Sequence, residues 1–345
     1  MKKFLNALAC FFKVILILFL CFEIGYLGLA AMNSEIVNGF RINKGYYGVN
    51  PTWLADSDDT VIDDIYERMD VDGKFVTAYN IYRKACEKLM LVPAYGVRAS
   101  CEVDVSAIGI NLTCASNRTE QYMVAGTPAL NANQKVYSSY VNTIYITQVS
   151  NPALEGILKS AVQFATRGYS DGTEDYVQKG SLSAMDGEDE VIEWNKNFEV
   201  EKPSAKRTYA DDEIRDKCNF VVTKDTIVPE SVVIEREYDE QAKGYLYHVS
   251  MDLDCTDESE NGATYYEAKA IKDLLGSNMK SLVYSQLKID MTLYSNGYLM
   301  TWDTVQEWTL NYSVAFLSAE GTALNKKCEV FSYQPDECKV VDFTK

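Results

Sequence analysis

Residues 283–310 read VYSQLKIDMTLYSNGYLMTWDTVQEWTL, and this stretch decides the fold class. Asn296-Gly297 separates two runs of strand-forming residues, the strongest local signal for a hairpin, because both residues tolerate the positive φ that a tight turn demands. Before the turn, Leu287, Ile289, Met291 and Leu293 alternate with Lys288, Asp290, Thr292 and Tyr294. Successive side chains on a strand point to opposite faces, so one row is written for a core and the other for water or a ligand. The pattern predicts an antiparallel sheet whose apolar row faces the helix at 263–275.

Working outward, ATYYEAKAIKDLL (263–275) has helical spacing and stops at Gly276. Residues 56–69 and 75–90 share that spacing, the second with Ala78, Tyr82, Ala85 and Leu89 on one face. From Tyr95 the period becomes two, which predicts strands at 96–105, 109–116, 120–125 and 136–148 and a hairpin over 161–179 closed by Asp171-Gly172. A short helix at 205–216 then precedes strands near 219–223, 227–238 and 244–254. The residues after 316 read as a tail. Helix followed by meander occurs twice, so the expected class is α+β, with antiparallel curved sheets flanked by helices in two similar halves. The first half spans 71–204 and the second, with the tail, 205–345; residues 33–70 are a linker and short helix.

The chain opens with three lysines and an apolar run. Residues 14–32 are long enough to cross an apolar bilayer core of about 30 Å. Glu23 within the run costs about 2.5–3.5 kcal/mol, while eleven Val, Ile, Leu and Phe residues each return about 0.3–0.6 kcal/mol. Insertion stays favourable. The lysines place Met1 inside and the C-terminal portion outside, as a single-pass protein of the cell membrane. The alternative is a signal peptide cleaved near Ala30, with the remainder secreted.

A net charge of −17 opposes close contact with phosphate backbones, so nucleic acid is not an expected partner. The 24 tyrosines suit half-buried sheet faces, because each offers an apolar ring with a polar tip. Tyr245, Tyr247, Tyr294 and Tyr298 are the candidate ligand-binding residues. Asp252, Asp254, Asp257 and Glu260 form a carboxylate loop that calcium could use, although the EF-hand spacing fails; the simpler role is a solvated loop favouring the next helix N-terminus. The single histidine, His248, shares a strand face with Ser250 and Asp252, yet no G-x-S-x-G elbow accompanies it. Ser277 and Lys280 match S-x-x-K without S-D-N or K-T-G. No P-loop, dinucleotide or zinc-protease motif occurs, so no cofactor is expected and the chain reads as a non-enzyme.

Seven cysteines follow the apolar segment. In an exported chain, Cys101 with Cys114 and Cys328 with Cys338 are the expected disulfides, each pair bracketing a short turn; the competing role is buried thiols packed as small hydrophobes.

From Cys218 to Leu310, the segments KDTIVPESVVI, YLYHVSMDLD, GATYYEAKAIKDLLG and the hairpin ending VQEW resemble uncharacterised secreted or membrane-anchored cell-envelope proteins of Gram-positive bacteria. Their sheets are similar in architecture to the lipoprotein-carrier half-barrel, which holds lipid chains against a curved sheet. The resemblance implies an envelope setting and brings no catalytic residues. The expected function is a non-enzymatic extracytoplasmic protein that binds a lipid-like ligand or an envelope protein on a Tyr-rich concave sheet. Two alternatives compete: a structural or adhesive surface module without a cavity, and a hydrolase using Asp252 and Asp254 as paired acids.

Overall fold

The computed structural model of the chain describes residues 60–107, 109–126, 135–186, 189–201, 220–240, 242–275, 279–314 and 317–345. The expected membrane segment at 14–32, most of the expected linker and the helix expected at 205–216 lie outside them. The strands are β1 (Ala94–Ala107), β2 (Ile110–Val124), β3 (Val136–Val149), β4 (Phe164–Ser170), β5 (Asp175–Asp186), β6 (Asp189–Trp194), β7 (Glu199–Glu201), β8 (Val233–Asp239), β9 (Gly244–Asp252), β10 (Met279–Tyr294), β11 (Leu299–Val314) and β12 (Leu317–Ser332). The helices are α1 (Val61–Glu67), α2 (Met69–Asp72), α3 (Lys74–Leu91), α4 (Pro152–Val162) and α5 (Tyr265–Leu275).

All twelve strands join one antiparallel curved sheet in the order β6-β5-β4-β3-β2-β1-β12-β11-β10-β9-β8, with β7 beside β5. Helix followed by a three-strand meander occurs twice, as α3 with β1 to β3 and α5 with β10 to β12. The two meanders are not separate sheets, however, because β1 pairs with β12 from Gly96–Ser332 to Ala107–Gly321. Register shifts with an extra residue on β3, β5, β10 or β11 bend the strands they interrupt.

Leu287, Ile289, Met291 and Leu293 are at most 2% exposed, as their alternation demands. Burying each contributes about 1.5–3 kcal/mol. Their partner differs from expectation. They share an apolar cluster with Ala78, Ile81, Tyr82, Ala85 and Leu89 of α3, whereas Ile271 of α5 clusters with Tyr284 and Leu310 further along the same inner face. The α3 residues recur every three or four positions, which is one helical stripe. Tyr82 meets Trp302 of β11 with ring centroids 5.8 Å apart.

The turn at Asn296-Gly297 has three loop residues: Tyr294 N–H donates to Tyr298 O at 3.0 Å, and Gly297 N–H to Tyr294 O at 2.8 Å. Gly297 has φ +88°, the left-handed position that such loops reserve for glycine.

Several elements depart from expectation: residues 220–223 form no strand, β8 starts only at Val233, and β6 and β7 were not expected. The runs 109–116 and 120–125 form a single strand, β2, since Arg118 turns inward and pairs with Glu120 at 2.9 Å. Helix α4 forms because Asn151 Oδ1 accepts the Ala153 N–H at 3.1 Å with Pro152 in the first turn. The apparent tail after 316 contains β12, a sixteen-residue strand near the middle of the sheet. The chain beyond β12 straps the outer face. Gly96 leaves room for the carbonyl of Glu337, which would lie 2.6 Å from an added Cβ, and Val341 N–H donates to Ser139 Oγ at 2.9 Å. Phe343 ends against the Arg167 guanidinium, 4.9 Å from its ring centroid.

The expected disulfides are not present; Cys101, Cys114, Cys328 and Cys338 are thiols. Register explains the first pair. Cys101 faces Ser116 and Cys114 faces Val103, which leaves the two cysteines diagonal, about 7–8 Å apart, beyond the usual reach of a disulfide. Cys338 Sγ donates to Ser332 O at 3.4 Å, and Ser332 is four residues along β12 from Cys328, a separation of about 13 Å at strand rise. Burial pushes the Cys101 thiol well above its ordinary pKa and the Cys338 thiol to about 11.

Candidate functional site

The outer side chains of β8 to β11 form two rows across the sheet. Pairing aligns Glu235, His248, Thr292 and Thr301 in one and Val233, Ser250, Asp290 and Asp303 in the other. All eight line an outer-face cleft of about 360 Å³. A register shift leaves Met300 as an extra residue on β11, next to Thr301, and bends that strand beside the cleft. Bulges of this kind re-aim side chains and recur near functional sites.

Asp290 and Asp303 stand directly opposite each other in the second row. Like charges in that relation repel, which makes this part of the cleft favourable to a cation. Lys288 Nζ lies 2.9 Å from Asp290 Oδ2, but both side chains are more than a third exposed and solvent screens the pair. His248 is held at both nitrogens, with Thr292 Oγ1 3.1 Å from Nδ1 and Glu237 Oε1 3.1 Å from Nε2. Neither nitrogen is turned to Ser250, so a Ser-His-Asp relay is not assembled. The cleft instead presents hydroxyls, an imidazole and carboxylates as fixed hydrogen-bonding groups.

The four tyrosines chosen from the sequence do not share a surface. Tyr247 lies in the α3 core, donates to Asp63 and packs 5.3 Å from Tyr66. Burial, followed by that carboxylate, raises its phenol pKa. Tyr294 is buried with Ala242 and Leu246; burial and then Asp239 push it up to about 12. Tyr298 meets Tyr333 edge-on at 5.3 Å. Only Tyr245 is well exposed, edge-on to Tyr238 at 5.6 Å with the Arg236 guanidinium 4.6 Å from its ring.

The acidic loop serves itself. Asp254 Oδ1 accepts the Thr256 hydroxyl at 2.7 Å and its N–H at 2.8 Å, bonds that lower the Asp254 pKa. Asp257 accepts the Ser259 N–H at 2.8 Å, and Glu260 accepts the Tyr265 hydroxyl at 3.3 Å. Asp252 faces Lys288 across β9 and β10. Among the described residues no three His, Cys, Asp or Glu side chains converge for a metal ion. No described helix is long and apolar enough to cross a membrane, and residues 14–32 lie outside the described set.

Asp303, Thr301, Glu235 and Glu237 were not among the sequence candidates. A usable signal existed for two of them. Counting outward from a two-residue Asn296-Gly297 turn pairs Thr292 with Thr301 and Asp290 with Asp303, the register that the three-residue turn reaches through the extra residue Met300 on β11.

No protein-family model matches the sequence, and no curated protein matches it. Among solved structures, a DUF1329 family protein from Desulfovibrio piger is 8% identical; the alignment covers 74% of this chain and 90% of that one at a TM-score of 0.20. A beta-barrel-like protein of domain of unknown function DUF1849 from Brucella abortus is 11% identical, with 68% and 98% covered and a TM-score of 0.16. At such scores, function has to be read from this chain's own residues.

Proposed function

We propose that the chain is a non-enzymatic extracytoplasmic binding protein of the cell envelope, anchored through residues 14–32, whose outer-face cleft receives a small polar ligand carrying a cationic group. The observation that carries this reading is the direct opposition of Asp290 and Asp303 in the cleft. An ammonium or guanidinium group between them replaces repulsion with charge-assisted hydrogen bonds. Ser250, Thr292, Thr301 and His248 line the same cleft and orient the remainder of the ligand. The net charge of −17 raises the local concentration of cations around the protein. A lipid-like ligand on the tyrosine row is less favoured, because Tyr247 and Tyr294 are committed to cores.

The test is calorimetric titration of the full chain in lipid nanodiscs with glucosamine and spermidine. Saturable binding is expected, weakened at least tenfold in Asp303→Asn. Equal affinity in the variant contradicts the reading. The anchor is tested by sequencing the mature N-terminus; a start near Ala31 replaces the anchor with a cleaved signal.

A further inference from the structure

The inner face has a feature that the cleft does not use. Between the apolar cluster of α3 and that of α5, the inner rows of β11 and β12 turn polar: Thr304, Gln306, Asn325, Lys327 and Glu329 are each at most 4% exposed. Lys327 Nζ and Glu329 Oε2 neutralise each other at 3.1 Å. Asn325 Nδ2 donates to Gln306 Oε1 at 3.4 Å, but Asn325 Oδ1 is buried with no hydrogen-bond partner. Trp308 Nε1–H, one row along the same face, is buried in the same condition. Each such group costs about 1–3 kcal/mol if left unmade, and folded proteins satisfy nearly all of them. The neighbouring positions on β1 and β12 hold short apolar side chains, with Val103 opposite Asn325 and Val105 opposite Ala323.

We propose that this is an internal binding site for a small, neutral, amphipathic molecule. Its polar group donates to Asn325 Oδ1 and accepts from Trp308 Nε1–H, while its apolar part lies against Val103, Val105 and Ala323. A primary amide or an alcohol with a short alkyl chain has both functions. Neutrality follows from the surroundings: Lys327 and Glu329 already form an ion pair beside the site, and a charged ligand would bring an unmatched charge into a buried region.

Octanamide is the probe, added to the full chain in nanodiscs and followed by the indole N–H resonances, with Trp308→Phe supplying the assignment. The Trp308 signal should move saturably, and Asn325→Leu should weaken the apparent affinity at least tenfold. Trp308→Phe keeps an aromatic ring at the position and removes the donor; the other three indole signals report whether it folds. Its octanamide affinity, by calorimetry, should fall similarly. A Trp308 signal unmoved at saturating octanamide overturns the proposal. So does equal affinity in both variants, or a high-resolution structure showing ordered water alone between the two atoms.

Discussion

β10 and β12 each have sixteen residues and flank β11 on its two sides, yet their inner rows are built from different chemistry. β10 turns Leu287, Ile289, Met291 and Leu293 inward, while β12 turns in Ala323, Asn325, Lys327 and Glu329. An apolar row needs only a surface to pack against, so its alternation announces itself. A buried polar row is stable only once its partners are in place, and those lie on other strands or further along its own. The contrast separates a strand that the local pattern specifies from one that tertiary structure specifies.

The largest effect should come from breaking the polar row. Lys327→Ala leaves the Glu329 charge without its ion-pair partner at full burial and should destabilise the fold by about 3–5 kcal/mol in urea unfolding. Replacing both members, Lys327→Met with Glu329→Leu, should recover most of that loss. If the double variant is as unstable as the single one, the pair has a role beyond mutual neutralisation. In the same assay Ile289→Ala should cost about 2–5 kcal/mol through loss of burial and the cavity left behind. A cost below about 1 kcal/mol would mean that α3 does not close tightly over β10.

The same contrast explains what the sequence disclosed. The opening hairpin, α3 and most strands were legible because their apolar residues recur at two or at three to four positions. β12 was not, because Asn325, Lys327 and Glu329 stand where a core residue is looked for, and Leu324, Cys328 and Val330 stand on the outward row. Arg118 hid the continuity of β2 in the same way. The tyrosines misled for a related reason: amphipathic rings suit a cleft, but a buried phenol with a partner serves equally well, as Tyr247 does with Asp63. Half of the cleft was within reach, since the register of the hairpin at Asn296-Gly297 already sets Asp290 against Asp303. The contribution of β8 was not, because nothing local aligns Glu235 with His248.

His248 is the sole histidine of the chain and lines the cleft, so its imidazole is a unique reporter of occupancy. The most direct test of cation binding in the cleft is the nitrogen spectrum of that ring during titration with the amine that calorimetry finds to bind. The Nδ1 and Nε2 resonances should shift in proportion to occupancy in the native protein and stay in place at the same amine concentration in Asp303→Asn. Binding that leaves both resonances where they were would place the ligand elsewhere and contradict the assignment of the cleft.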